Sequence, residues 1–241
     1  MAEIYGRAAG LCGGKGGSMH IADLSKGMMG ANGIVGAGTA LVCGAALTAK
    51  TLGTGGVAVA FTGDGGSNQG TVFEAMNLAS VWRLPAIFVF ENNGYGEASA
   101  AEWALAGGDI ARRAPAFDMP GHQVDGTDYF AVWEAMRQAV ARARGGEGPS
   151  LIECRMKRYY GHFEGDTQAY RAKDEVETLR KTADPLDRFR ARVTAAGLIQ
   201  GAELDGIDTE ARAEIDRAVA YAKAAPLPVP EALHTHVYAN D

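Results

Sequence analysis

Two short apolar runs, each broken off by a polar cluster that carries glycine, constrain this chain more than any other feature. The first is VAVAFTG (57–63), followed by Asp64-Gly65-Gly66-Ser67-Asn68. The second is AIFVFEN (86–92), which opens into Glu91-Asn92-Asn93-Gly94-Tyr95-Gly96. Runs this short and this apolar read as strands buried on both faces. Between them, GTVFEAMNLASVWRL spaces Val72, Phe73, Met76, Ala79 and Leu84 at roughly helical intervals. Upstream, the small residues from Ile34 to about Leu52 read as a tightly packed helix, despite the propensity cost of their glycines. A third short strand is expected around Val124 and a further one at PSLIECRM (149–156). DYFAVWEAMRQAVARAR between them puts Phe130, Trp133, Met136 and Val140 on one helical face. Strands alternating with helices predict an α/β fold, a parallel sheet with helices on both faces.

The flanks differ. Residues 1–33 are rich in glycine and short of periodic apolar residues, and they read as a loop region that approaches a ligand. From about Lys173 the chain turns charged and helical. Asp184-Pro185 marks a helix start, Glu203 to Ala224 forms an amphipathic stretch, and PLPVPEALHTHVYAND is expected to run extended along a surface. The expectation is one domain over 1–241, with a helical extension and tail over about 173–241.

Composition excludes several classes of function. A net charge of -6 disfavours nucleic acid as a partner, since phosphate backbones need a basic surface. Arg137, Arg142 and Arg144 look like the wet face of a helix. The three cysteines, Cys12, Cys43 and Cys154, lack the spacing of a disulfide framework or a zinc site, and a reducing cytoplasm suits them. No apolar run reaches the roughly 18 residues of a membrane span, and the first residues do not read as a signal peptide.

Open parallel sheets bind ligands beyond the carboxyl ends of their strands. Taken alone, each polar cluster is also a plain turn, because Asp-Gly and Asn-Gly are strong turn pairs. Together they sit at the binding end of two strands expected to be neighbours. Asp64 and Asn93 are hard oxygen donors of the kind magnesium takes, and magnesium with few protein ligands completes its shell with phosphate oxygens and water. The segment after Asp64 leads straight into a helix near Gly70, whose N-terminus favours an anion. These residues therefore predict a metal-bridged diphosphate. Two common phosphate motifs are excluded: Gly14-Lys15 is followed by Gly16 and not by Ser or Thr, and Leu41 stands where Gly36 and Gly38 would need a third glycine.

GDG, the residues from Gly66 to Glu91, and then Asn92-Asn93 resemble the thiamine-diphosphate motif. GKGGSMH, GANGIVGAG, GDGGSNQGTVFEAMNLASVWRLP and ENNGYGE together resemble the alpha subunit of the decarboxylating dehydrogenase component of 2-oxo-acid dehydrogenase complexes, nearest the acetoin dehydrogenase branch. The resemblance covers about residues 5–190 well and the tail loosely. It implies a thiamine-diphosphate-binding fold, with thiamine diphosphate and magnesium as cofactors. It also implies that Asp64, the side chain of Asn93 and the backbone carbonyl of Tyr95 bind the metal. Gly33, Val35, Gly65 and Gly66 match positions that line the cofactor. His162, in YYGHFEGD, matches an active-site histidine on a loop, although a lone histidine is more often structural; His20 lies near the same region with no firm role.

The implied activity is that of an oxidoreductase that cleaves acetoin or a 2-oxo acid such as pyruvate and passes the acyl unit to a lipoyl group, a disulfide acceptor, on an acyltransferase component. The glutamate that activates the cofactor lies, in that family, on a beta subunit. The expected assembly is therefore an alpha2-beta2 heterotetramer, with this chain inactive by itself. Phe163 stands where animal pyruvate enzymes carry a phosphorylated serine, and Tyr160 where they carry a histidine. The family's N-terminal region, with a Tyr-Arg pair that helps hold the diphosphate, is expected to precede the point at which this chain starts. Three alternatives stay open: a pyruvate or branched-chain 2-oxo-acid enzyme; a non-catalytic truncated subunit that only pairs with a beta partner; and a dinucleotide-binding oxidoreductase on a similar sheet, against which the absent fingerprint counts.

Overall fold

The computed structural model describes residues 1–238. The chain resolves into two compact units: Ile34–Ala196, and residues 1–33 together with the chain from Gly197 on.

The Ile34–Ala196 unit is built on a sheet. Helix α1 (Ala37–Leu52) starts behind Gly36, whose φ of 84° only glycine adopts freely, and a Cβ there would come within 2.9 Å of Gln69 Cβ. Then come β1 (Ala58–Gly63), α2 (Gly70–Val81) and β2 (Ala86–Asn92). A small hairpin of β3 (Tyr95–Gly96) and β4 (Ser99–Ala100) leads into α3 (Ala101–Ala104) and a 3-10 segment, Ala111–Phe117. The unit continues through β5 (Gly121–Asp125), α4 (Tyr129–Arg144), β6 (Ser150–Arg155), α5 (Glu175–Thr182) and α6 (Pro185–Ala195). Four strands pair in the order β1-β2-β6-β5, every pair parallel.

The period-2 pleat of the strands divides the core into two layers. Phe88 and Phe90 of β2 and Leu151 of β6 face one way, against Val42, Cys43 and Ala46 of α1 and Val72, Met76 and Ala79 of α2. Ile87, Val89, Ile152 and Cys154 face the other way, against Ala135 and Ala139 of α4. Helices thus cover both faces, which is why β2 and β6 are apolar almost throughout. The face of α4 is only in part the one its largest side chains suggest: Met136 and Val140 pack against the layer of Ile87 and Ile152, but Trp133 does not. Alanines 135, 139 and 143 are buried, whereas Trp133 is 52% exposed. Small residues let a helix lie close on a flat sheet, and the aromatics are used elsewhere: Phe130 stacks on Phe189 of α6, their centroids 5.8 Å apart. Both amphipathic helices start on an aspartate cap. Asp128 Oδ1 accepts the Phe130 and Ala131 N–H groups, and Asp184 Oδ1 accepts those of Leu186 and Asp187, with Pro185 in the first turn.

The other unit pairs the glycine-rich start of the chain with α7 (Gly201–Ala224) and a 3-10 segment, Pro230–His234. The expected extended tail is therefore partly helical, and its last residues, 239–241, lie outside the described residues. The glycine loop is organised around Glu3, only 2% exposed. Its carboxylate accepts the N–H groups of Cys12 (2.8 Å), Gly14 (2.9 Å), Gly16 (2.6 Å) and Gly17 (3.2 Å). Burial by itself raises the Glu3 carboxyl, but these bonds more than offset that and hold it below the ordinary glutamate value. Lys15 reaches the carbonyl and hydroxyl of Thr235, both at 2.9 Å, and Ala8 N–H donates to the Pro226 carbonyl. No helix among the described residues is long and apolar enough to cross a membrane.

Candidate active site

The parallel register places Gly63 of β1 beside Glu91 of β2, so the two polar clusters leave neighbouring strands at the same end of the sheet. They touch through glycine. A Cβ on Gly65 would lie 3.0 Å from Gly96 Cα, and one on Gly96 would lie 2.9 Å from Gly65 Cα. Any side chain at either position would push the two loops apart.

Asp64, 2% exposed, sits at the root of the first loop. Its Oδ2 is buried and has no hydrogen-bond partner. Burial raises its carboxyl above the ordinary aspartate value; the N–H groups of Asp64 and Gly65 and the charge of Arg158 only partly counter this. The loop itself is well held. Ser67 Oγ donates to the Asp64 carbonyl at 2.7 Å. Arg113 donates to the Ser67 carbonyl (2.7 Å) and to Asn68 Oδ1 (2.9 Å). Beyond the loop, α2 begins with neither a side-chain cap nor an acidic residue in its first turn. Its first N–H groups are thus free of side-chain acceptors.

The second loop is pinned from below. Glu153, fully buried on β6, accepts the Asn92 amide at 2.7 Å and the Ala111 N–H at 2.9 Å. This fixes Asn92 inward. Asn93 is half-buried, and its Oδ1 accepts the Tyr95 N–H at 3.2 Å. Arg158 holds the next turn, with Nη1 3.5 Å from the Tyr95 carbonyl and Nη2 2.9 Å from that of Glu97.

The remaining expected site residues are placed as follows. Val35, 60% exposed, runs up to Gly66: a Cβ there would come within 3.2 Å of Val35 Cγ1. Gly33 belongs to the other unit, where a Cβ on it would lie 3.2 Å from Cε1 of His20. His162 is exposed. Its N–H donates to Asp166 Oδ2 at 2.8 Å. Asp166 also accepts the Tyr170 hydroxyl (2.6 Å) and the Gln168 N–H (2.8 Å). The Tyr170 bond first, then those N–H groups, hold its carboxyl down at about 2. Tyr170 is in turn bonded by Arg158. A chain of hydrogen bonds thus runs from the Tyr95–Glu97 turn to the histidine loop.

Sequence reasoning did not single out Glu3, Arg113, Glu153 or Arg158. Each acts on a segment distant in the chain, and nothing local marks them. Among the described residues no three His, Cys, Asp or Glu side chains gather around a metal position. A carboxylate, an amide and a backbone carbonyl form a different kind of donor set, and the unpartnered Oδ2 of Asp64 suits a cation.

An open parallel sheet with paired acidic and amide loops at its carboxyl edge defines a class of ligand-binding α/β proteins. Over residues 1–231 the chain matches the family model of the dehydrogenase E1 component, and it belongs to that family. It is 58% identical over 240 residues to the alpha subunit of acetoin:2,6-dichlorophenolindophenol oxidoreductase of Cupriavidus necator, covering 100% of this chain and 72% of that one. The same subunit of Bacillus subtilis is 52% identical with the same coverage. The pyruvate dehydrogenase E1 component subunit alpha of Rhizobium meliloti is 40% identical over 98% of this chain and 68% of its own.

Proposed function

We propose that this chain is the alpha subunit of a thiamine-diphosphate-dependent dehydrogenase that cleaves acetoin or a 2-oxo acid such as pyruvate, working as one thiamine-diphosphate-binding domain with its helical extension. The observation that carries this reading is the buried, unpartnered Oδ2 of Asp64 in a loop that meets the Asn93–Gly96 turn glycine to glycine. An unpaired buried carboxylate oxygen costs about 1–3 kcal/mol and persists where something binds it. Magnesium would take Asp64, the Asn93 side chain and the Tyr95 carbonyl as its protein ligands. The diphosphate would lie over Gly65, Gly66 and the uncapped start of α2, with Val35 alongside. When bound, the cofactor supplies a stabilised carbanion that attacks a carbonyl.

This chain's own residues position and shield. Arg113 and Ser67 hold the Asp64 loop rigid, and Glu153 orients Asn92 so that the adjacent Asn93 can face the metal. His162 would hydrogen-bond the reacting oxygen of the substrate, its loop held by Asp166. The acyl unit would pass to a lipoyl group on an acyltransferase component, with a beta subunit completing the site in an alpha2-beta2 assembly. The names of the relatives support the alpha-subunit assignment. All three cysteines are free, which suits a reducing compartment such as the cytoplasm.

Calorimetric titration of the alpha–beta assembly with thiamine diphosphate and magnesium tests the ligand set. Binding in the wild type and its loss in Asp64→Ala support it; unchanged affinity sinks it. Turnover of acetoin at the normal rate by the isolated alpha chain would refute the dependence on a partner.

A further inference from the structure

His162 lies on a long connection between the end of β6 at Arg155 and the start of α5 at Glu175, and that stretch holds no strand and no helix. Side chains must therefore place it. After the histidine, Asp166 gathers the His162 N–H, the Gln168 N–H and the Tyr170 hydroxyl. Before the histidine stand Tyr159 and Tyr160, and both meet the end of α5. The Tyr159 hydroxyl donates to the Ala183 carbonyl at 3.0 Å. Arg180 Cζ lies 4.8 Å from the centroid of the Tyr159 ring and 5.0 Å from that of Tyr160, inside the reach of a cation–π attraction.

Two cations occupy the last turn of α5, and they are used differently. Lys181 is taken by Glu177 at 2.6 Å. Arg180 makes neither an ion pair nor a hydrogen bond among the described residues, so the two rings are what it holds there. Tyr160 is 72% exposed, so burial does not fix its ring. The guanidinium is what ties it to α5.

We propose that Arg180 is a positioning residue for His162: it clamps Tyr159 and Tyr160 to the end of α5 and so sets the leg of the loop that leads into the histidine. This rests on the reading of His162 as the group that hydrogen-bonds the reacting oxygen. A misplacement of about 1 Å in such a group can cost about 100-fold in rate. The Asp64 and Asn93 loops are no partners of Arg180, so cofactor affinity is not its business.

The test uses the alpha–beta assembly with cofactor, and reads amide exchange over residues 157–166 together with turnover of acetoin or pyruvate. Arg180→Met keeps the unbranched apolar stem and removes the cation. It should speed exchange at Tyr160 and His162 roughly tenfold, since each exposed cation–π contact shifts an equilibrium by about twofold to fivefold. It should lower kcat by roughly the same factor and leave the affinity for thiamine diphosphate unchanged. Arg180→Lys keeps a cation against the rings and should bring both readouts back toward the wild type. In a His162→Ala background, Arg180→Met should lower the residual kcat no further, because positioning acts through the histidine, whereas a general loss of packing would lower it again. Unchanged exchange or unchanged kcat in Arg180→Met overturns the inference. So does an Arg180→Lys variant no better than Arg180→Met, or a further drop in the His162→Ala background. Each of these leaves the reading of His162 standing. Wild-type turnover by His162→Ala itself overturns that reading, and the positioning role with it.

Discussion

Two carboxylates of this chain, Glu3 and Asp64, are equally buried, at 2% exposure each, and they are treated in opposite ways. Glu3 is saturated by four backbone N–H groups of the glycine loop, and its carboxyl is held below the ordinary value. Asp64 keeps one oxygen without a partner, and burial raises its carboxyl. A satisfied buried charge organises the backbone around it. An unsatisfied one holds a loop ready for something from outside. Burial alone does not tell a structural carboxylate from a ligating one; the count of its partners does.

The largest test of that contrast is on cofactor binding. Asp64→Ala should weaken thiamine diphosphate and magnesium by more than about 100-fold in the alpha–beta assembly, because even outer-shell partners of a metal are worth 10–100-fold. Its far-ultraviolet circular dichroism should match the wild type, since a ligand is lost and not core volume.

Next in size is stability without cofactor. Glu3→Ala should cost about 2–3 kcal/mol in urea denaturation, since it leaves four part-buried N–H groups without their acceptor. Asp64→Asn should cost nothing, or stabilise by about 1 kcal/mol, because it removes an uncompensated charge. Equal losses in the two variants would break the comparison.

The sign of the pH response follows. A group held below its unfolded value adds stability that is present above that value and is lost as the pH falls through the folded one. Wild-type stability should therefore decline below about pH 4 through Glu3, and Glu3→Gln should remove part of that decline, as melting curves between pH 3 and 6 would read. Smaller still, Asp166→Asn should speed amide hydrogen exchange at His162 and Gln168 roughly tenfold and leave the sheet protected. The smallest effect is expected at Arg137→Ala, whose exposed, solvent-screened pair with Glu134 should leave the urea midpoint unmoved.

Much of the fold was legible in the chain because a buried parallel strand needs an apolar run, and a run of six or seven residues has few other uses. AIFVFEN became β2 with the same bounds, and VAVAFTG lost only its first residue. The helix before β6 was also legible, and its buried face in part: Met136 and Val140 pack against the core, whereas Trp133 stays exposed. Apolar periodicity pointed to large side chains, whereas close approach to the sheet selected Ala135, Ala139 and Ala143. Of the candidate site, the two strand-end clusters could be read because their residues are contiguous. Glu153, Arg113 and Arg158 could not, since each reaches a segment tens of residues away and leaves no local mark.

GDGGSN and ENNGYG are thus determined by sequence alone as loops of the right chemistry at the right ends of their strands. Their meeting is a decision of the tertiary structure: the β1–β2 register brings Gly65 against Gly96, and only then does Asp64 become a buried acceptor without a partner. The same holds for Glu3, an ordinary glutamate in the text of the chain, which becomes the anchor of a glycine loop through bonds to residues nine to fourteen positions on. Residue types set which atoms can donate or accept. Which of them are left wanting depends on the packing of distant segments, and that is a property of the fold.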